Sequence, residues 1–149
     1  MVRGKLFRDF TVGETYTTAW KTVMEGHFTD FVNLTMVEEP LFENRQFLEE
    51  HSPYDDWIVP GMLTGSMALG LFSRSGWLED TGLAMMEWDA SFEAPVHVGD
   101  TMRAEIEVVD THPTSRDEGG VVELEWDVHT REEGTVLTVE SSHFIRKEE

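Results

Sequence analysis

Residues 57–76 read Trp-Ile-Val-Pro-Gly-Met-Leu-Thr-Gly-Ser-Met-Ala-Leu-Gly-Leu-Phe-Ser-Arg-Ser-Gly. From Met62 to Phe72 this stretch carries no charged residue, although 28% of the whole chain is charged. It is too short to span a membrane as a helix, which takes roughly 20 apolar residues. Its apolar side chains fall on all sides of a helix, so the stretch predicts a helix buried inside a domain. Pro60 suits the first turn, and Gly76 is predicted to cap the end.

The start of this helix is a candidate binding site. The first-turn amides of a helix have no partner within the helix, and the helix dipole favours negative charge beside them. An anion or a carbonyl oxygen can therefore bind there. The rest of the sequence has to indicate what that ligand is.

The composition excludes several classes of site. The 149 residues predict a single domain over residues 1–149. The chain has no cysteine, which excludes disulfides, zinc–thiolate sites and thiol catalysis. The six histidines form no ligand-spaced pair, so we expect no metal site. The first ten residues contain no apolar run of a signal peptide, and we expect a soluble cytoplasmic protein.

The net charge of −19 comes from 30 acidic and 11 basic residues. Such a field repels nucleic acid and anionic membranes, so neither is expected as a partner. A hydrophobic content of 40% argues against an acidic disordered chain. The excess is interpreted as a solvated acidic surface, and the scarcity of lysine resembles the proteins of salt-loving organisms.

Hydrophobic periodicity predicts the other elements. A strand is expected over Thr15–Val23, followed by a helix of about ten residues that starts at Glu25. Residues 36–53 are irregular: Pro40 breaks any helix, and a short helix is expected over 44–50. Four strands follow the buried helix, over residues 83–94, 102–109, 122–129 and 135–146.

This order predicts an α+β protein in which an antiparallel sheet wraps around a long central helix, the hotdog fold. A single sheet of this kind leaves an edge strand and part of the helix uncovered. We therefore expect a homodimer or a higher assembly of dimers.

Four segments resemble the MaoC-like hydratase family of hotdog proteins. Phe10-Thr-Val-Gly-Glu resembles the family's opening, and Phe28-Thr-Asp-Phe-Val-Asn-Leu-Thr resembles its first helix. Ile58-Val-Pro-Gly-Met-Leu resembles the start of its central helix. Phe92-Glu-Ala-Pro-Val-His-Val-Gly-Asp-Thr is similar to the family's F-x-x-P-V-x-x-G-D-T strand and turn. The resemblance covers most of the chain.

The resemblance implies a 2-enoyl thioester of coenzyme A or acyl carrier protein as substrate, with water added or removed. It implies no separate cofactor, since coenzyme A is part of the substrate or ligand. The family's acid and base are an Asp and a His in a T-G-D-x-N-P-hydrophobic-H-x-D segment. The matching segment is Thr35-Met-Val-Glu-Glu-Pro-Leu-Phe-Glu-Asn, in which Val37 replaces the Asp and Phe42 replaces the His. Neither residue can transfer a proton.

Neighbouring residues provide alternatives. Glu38, Glu39 or Glu43 could replace the lost pair if an apolar pocket raised its pKa; otherwise these are solvated surface carboxylates. The resemblance implies that the Gly61 amide polarises the thioester carbonyl, with Met62 beside it, or else Pro60-Gly61 simply starts the helix. Expected pocket walls are Val37, Phe42 and Trp57.

Three functions remain open at this stage. The first is a hydratase or dehydratase with a rearranged or lost acid–base pair. The second is a non-catalytic hotdog subunit that binds an acyl thioester. The third is a hotdog thioesterase, in which a carboxylate activates water against the thioester carbonyl near Gly61.

Overall fold

The computed structural model describes residues 1–148. A short 3-10 turn, Phe7–Asp9, precedes the regular elements. The helices are α1 (Glu25–Thr35), α2 (Pro40–Glu43), α3 (Arg45–His51) and α4 (Gly61–Ser73). The strands are β1 (Thr15–Thr17), β2 (Lys21–Thr22), β3 (Gly82–Phe92), β4 (Thr101–Pro113), β5 (Gly119–Thr130) and β6 (Gly134–Arg146).

The strands form one antiparallel sheet in the order β1-β4-β5-β6-β3, with β2 also paired to β4. The three long strands β4, β5 and β6 follow one another along the chain as hairpins. Strand β3, which immediately follows α4 in sequence, pairs with β6 at the far side of the sheet. The predicted antiparallel sheet, with four long strands after the buried helix, is confirmed.

The two faces of the sheet differ because polar and apolar residues alternate along the strands. On β4 the buried side chains are Met102, Ala104, Ile106 and Val108. They belong to one continuous core with residues of β5, β6 and α4. The helix side of the sheet is called the inner face below, and the opposite side is called the outer face.

Helix α4 packs closely against the inner face through its small residues. Ala68 is fully buried, and a Cβ atom added to Gly65 would lie 3.3 Å from Cζ2 of Trp88. The ring of Phe72 meets Trp126 edge-on, with their ring centroids 5.1 Å apart. The helix is hydrophobic on nearly all sides because strands, aromatic rings and loops surround most of its circumference.

The outer face carries a row of carboxylates that crosses four strands. Glu107 lies opposite Glu125, Glu125 opposite Glu140, and Glu140 opposite Asp89. Like charges on directly opposite residues of neighbouring strands destabilise a sheet, and dissolved salt weakens that repulsion. This carboxylate row accounts for part of the acidic surface that the composition predicts.

Strand β3 forms an edge of the sheet and carries much apolar surface. Leu83, Met85, Met86 and Phe92 are among the large apolar side chains that remain exposed, as is Met62 on α4. An uncovered edge strand also presents unpaired backbone amides and carbonyls. In a single chain, β3 therefore has a neighbouring strand, β6, on one side only.

Two details of the predicted secondary structure are wrong. The strand expected over Thr15–Val23 is divided, because the Thr18 hydroxyl accepts the amide hydrogen of Ala104 at 2.9 Å and so interrupts the pairing. The helix ends at Ser73 rather than near Gly76, because the chain after it tightens into turns. Gly76 lies in one of these turns, with a φ of +75°.

The prediction for Pro40 needs a smaller correction. Pro40 breaks a continuous helix, as expected, but it also begins the four-residue helix α2. A proline fits the first helical position because its ring fixes φ near the helical value and no amide hydrogen is needed there. The helix expected over residues 44–50 is confirmed as α3, with Asn44 as its N-cap.

A short chain of buried hydrogen bonds lies inside the sheet. Trp126 donates its indole N–H to the Ser141 hydroxyl at 2.8 Å, and that hydroxyl lies 2.8 Å from Nε2 of His143. Burial lowers the pKa of His143 to about 4. The imidazole is therefore neutral at pH 7, and it gives the buried Ser141 hydroxyl a second hydrogen-bond partner besides the indole.

We expect His143 to make stability depend on pH. The unfolded chain has a histidine pKa near 6.5 and binds more protons than the folded chain between pH 6.5 and 4. The contribution of the neutral His143 to the free energy of unfolding is complete above pH 6.5. It falls by about 3 kcal/mol as the pH drops to 4. Urea unfolding of wild type and of His143→Gln at pH 7 and at pH 4 isolates the contribution of His143, since the carboxylates titrate equally in the two proteins. An unchanged difference between the two proteins at pH 7 and 4 would contradict this assignment.

Candidate active site at the start of helix α4

The first turn of α4 has free hydrogen-bonding capacity. Pro60 is the N-cap residue and gives the helix no side-chain cap. The amide of Leu63 bonds back to the Pro60 carbonyl at 2.9 Å, which closes the first turn. The amides of Gly61 and Met62 precede that bond and belong to the unsatisfied start of the helix.

A cavity of about 390 Å³ opens beside these amides. Gly61, Met62 and Thr64 line it from the helix, and Tyr54 and Ile58 line it from the loop before the helix. The segment from Phe92 to Val96 and Val136 of β6 complete the wall. Its size suits a small acyl group, and most of its walls are apolar.

Phe92 lies directly against the start of the helix. A Cβ atom added to Gly61 would lie 2.4 Å from Cε1 of the Phe92 ring, so position 61 has no room for a side chain while the ring stays in place. The ring itself is 54% exposed. Glycine at position 61 therefore serves the packing of an aromatic side chain as well as access to the amides.

Glu93 is the acidic residue among those that line the cavity. Its carboxylate accepts a hydrogen bond from the Thr138 hydroxyl at 3.3 Å. Thr138 lies between the buried residues Leu137 and Val139 on β6, and so its side chain is on the outer face. The Glu93 carboxylate is thus held on the side of the sheet opposite to α4.

Gly61 and Met62 both line the cavity, and their role in ligand binding stays a prediction. Trp57 and Phe42 lie instead in an aromatic cluster around Phe28, with ring centroids 6.1 Å from Phe28 in each case. The Arg45 guanidinium lies over the Trp57 ring at 5.2 Å. The aromatic ring at the family's His position therefore packs against the hydrophobic core.

Val37 and the three candidate glutamates lie in the segment around α2. Val37 is half-buried, whereas Glu38, Glu39 and Glu43 are exposed. The lining of the cavity at α4 includes none of these four residues. In the single chain, residues 1–148, this segment supplies no carboxylate to the start of α4.

Two groups of side chains within residues 1–148 have the spacing of metal ligands. One consists of Glu105, Asp127 and His129, and the other consists of Asp110, His112 and Glu123. In the first, Nε of Arg103 already donates to Nε2 of His129 at 3.0 Å, and the same guanidinium lies 3.6 Å from Glu105. A guanidinium thus supplies the positive charge at this group.

Sequence reasoning missed Tyr54 and Phe92 as residues of the site. Phe92 begins a quoted motif, but the motif does not show that the ring rests on Gly61. Tyr54 lies in an irregular loop, where no periodicity indicates which way a side chain faces. The positions of the Tyr54 and Phe92 side chains both depend on contacts with segments that are distant in the sequence.

Comparison with protein families identifies the class of this fold and site. The model of the MaoC-like domain, a dehydratase family, matches residues 9–130. The chain belongs to the MaoC-like family. No curated protein gives a significant match. No helix within residues 1–148 is both long and apolar enough to cross a membrane.

Solved structures show the same fold. A monoamine oxidase regulatory protein from Archaeoglobus is 29% identical, with a TM-score of 0.88 over 98% of this chain and 97% of that one. An unliganded (R)-hydratase from Pseudomonas aeruginosa is 18% identical, with a TM-score of 0.76 over 99% and 89% of the two chains. A 3R-hydroxyacyl-ACP dehydratase complex from Mycobacterium tuberculosis is 15% identical, with a TM-score of 0.75 over 89% and 96%. The predicted hotdog fold is confirmed.

We expect Gly61→Ala and Gly70→Ala to have opposite effects on stability. Both residues lie in α4, but a Cβ atom at Gly70 meets no atom within 4 Å. Gly70→Ala should raise the free energy of unfolding by about 0.5–1 kcal/mol through helix propensity. Gly61→Ala should lower it, because the Phe92 ring must move.

Urea unfolding of Gly61→Ala, Phe92→Ala and the double variant measures this contact. Phe92→Ala should remove the penalty of the added methyl group, which gives a non-zero coupling energy between the two positions. Strictly additive effects would show that the ring and Gly61 do not constrain each other.

Proposed function

We propose that this protein binds a 2-enoyl or 3-hydroxyacyl thioester at the start of α4 and acts as a hydratase or dehydratase of the MaoC-like class. The thioester carbonyl accepts hydrogen bonds from the amides of Gly61 and Met62. The acyl chain occupies the cavity between Ile58, Phe92 and Val136.

The cavity beside the uncapped first turn of α4 carries this proposal. Amides that are fixed by a helix stabilise the negative charge that develops on a thioester oxygen, without reorganising during the reaction. Family membership supplies the reaction class. The (R)-hydratase and the 3R-hydroxyacyl-ACP dehydratase named above have the same fold, which is consistent with the proposal.

A non-catalytic acyl-thioester-binding subunit is the second candidate. The observation that favours it is the composition of the α2 segment, where Val37 and Phe42 replace the family's acid and base. The exposed glutamates of that segment do not line the cavity. A protein of this kind would bind the thioester oxygen through the amides of Gly61 and Met62 but would catalyse neither hydration nor dehydration.

We also propose that two copies associate through strand β3. The exposed apolar side chains of this edge, together with Met62, form the kind of surface that a second copy covers. Pairing of two β3 strands would continue the sheet and satisfy the unpaired edge groups. The cavity lies beside this edge, since Phe92 belongs to β3 and also lines the cavity.

A thioester panel should separate the candidate functions. With but-2-enoyl-CoA in molar salt, which screens the repulsion between an acidic protein and the CoA phosphates, a hydratase lowers the absorbance of the conjugated thioester. Free thiol release would instead identify a thioesterase. A rise in melting temperature with butyryl-CoA, without either reaction, would identify the binding subunit. No rise and no reaction would refute thioester binding altogether.

We expect Met86→Glu to convert a dimer into monomers. Met86 is 57% exposed on β3, and a carboxylate there would be desolvated against the second copy. Leu34→Glu is the matched control, because Leu34 is 81% exposed on α1, away from the edge. Analytical ultracentrifugation should show monomers for the first variant and unchanged dimers for the second. Equal behaviour of both variants would contradict the β3 interface.

A further inference from the structure

Hydration at this site needs a side chain that accepts and donates a proton, and His97 is the best candidate for that acid–base group. The family's acid and base positions hold Val37 and Phe42, and the Glu93 carboxylate is bonded to Thr138 on the outer face. We propose that His97, positioned by Asp100, is the acid–base group of this site. The inference rests on the proposed hydratase function.

His97 lies beside the wall of the cavity. It follows Val96, which lines the cavity, and its backbone forms a bridge with Ile58, which also lines it. The ring of Tyr54, a third lining residue, meets the His97 ring edge-on at a centroid distance of 6.2 Å. The imidazole therefore contacts the lining residue Tyr54 at the border of the cavity, although His97 is not itself one of the lining residues.

Asp100 holds the backbone turn that carries this histidine, and its carboxylate lies near the ring. One carboxylate oxygen, Oδ2, accepts the backbone N–H of His97 at 2.9 Å and lies 3.8 Å from Nδ1 of the same residue. The Asp100 amide in turn donates to the His97 carbonyl at 3.0 Å, so residues 97–100 form a closed turn. Gly99 has a φ of +101°, which glycine adopts without strain.

The burial of His97 and Asp100 suits proton transfer by the imidazole. The side chain of Asp100 is 12% exposed and that of His97 is 28% exposed. A largely buried carboxylate beside Nδ1 stabilises an imidazolium that forms during the reaction, and it leaves Nε2 free to exchange a proton. The partly exposed imidazole remains accessible to water and to a ligand.

One imidazole is sufficient for the addition of water. The oxygen of water bonds to C3 of the 2-enoyl thioester, and one water proton passes to Nε2 of His97. The electron pair of the double bond moves to the thioester oxygen, which the amides of Gly61 and Met62 stabilise. The electron pair then moves back from the thioester oxygen, the C=O bond re-forms, and C2 takes the proton from His97. One C–O and one C–H bond have replaced the π bond of the alkene and one O–H bond of water, and the imidazole is neutral again.

The test compares His97→Asn with the control His112→Asn. His112 is an exposed histidine on β4 that is remote from the cavity lining. His97→Asn should lower kcat/KM for but-2-enoyl-CoA hydration by ~10²–10⁴-fold, the usual effect of losing an acid–base group. The control should leave it unchanged. Both variants should keep the rise in melting temperature that butyryl-CoA gives, which shows that folding and binding survive.

Asp100→Asn tests the positioning residue. The amide oxygen of Asn keeps the acceptor for the His97 backbone N–H, so the turn and the melting temperature should be preserved. Loss of the charge should lower kcat by ~10–100-fold, as for other groups that orient a reactive side chain, with KM unchanged. A rise in KM with constant kcat would instead show that Asp100 only shapes the pocket.

Imidazole resonances in ¹H–¹⁵N spectra give a readout that does not need turnover. Butyryl-CoA should shift the His97 resonance and leave that of His112 in place. The inference is overturned if His97→Asn hydrates as fast as wild type, or if the bound ligand does not perturb His97. Wild type that binds butyryl-CoA and never hydrates an enoyl-CoA also overturns it, although thioester binding stands. Wild type that does not bind would refute the proposed function itself.

Discussion

The contact between α4 and the inner face of the sheet holds the rest of the structure in place. It is close because Gly65 and Ala68 present almost no side chain to the strands, which lets the rings of Trp88, Trp126 and Phe72 fill the space around them. A larger residue at either position would separate the helix from the sheet. The same contact sets the height of the first turn above β3, and so it determines where the free amides and the cavity lie.

The sequence predicted this helix well because a helix that is buried on most sides needs a long run without charged residues, such as Met62 to Phe72. The strands β4, β5 and β6 were also predictable, since buried residues alternate with more exposed ones along most of β4 and along the middle of β5 and β6. The first strand was not, because its interruption depends on a side-chain hydrogen bond from Ala104 to Thr18, residues far apart in the chain. The end of α4 was misplaced because a left-handed glycine can follow a helix after a further turn as well as at its cap.

The candidate site shows where sequence reasoning stops. Gly61 and Met62 could be predicted at the start of the helix because a motif marks it. The difference between Val37 and Phe42 and the family's acid and base was equally visible in the matching motif. What replaces them was not, because the separation of Glu93 from the helix and the approach of Tyr54 to His97 both depend on three-dimensional packing. A motif that fixes a turn, such as His97-Val-Gly-Asp, gives no indication of what its first side chain contacts.

The carboxylate row on the outer face restricts how copies of this chain can meet. Two sheets stacked through that face would confront Glu107, Glu125, Glu140 and Asp89 with an identical set, and the desolvated repulsion would far exceed any gain from contact. Association through the outer face is therefore disfavoured. The distribution of charge, and not only the apolar surface, thus favours the proposed association through β3 over one through the outer face.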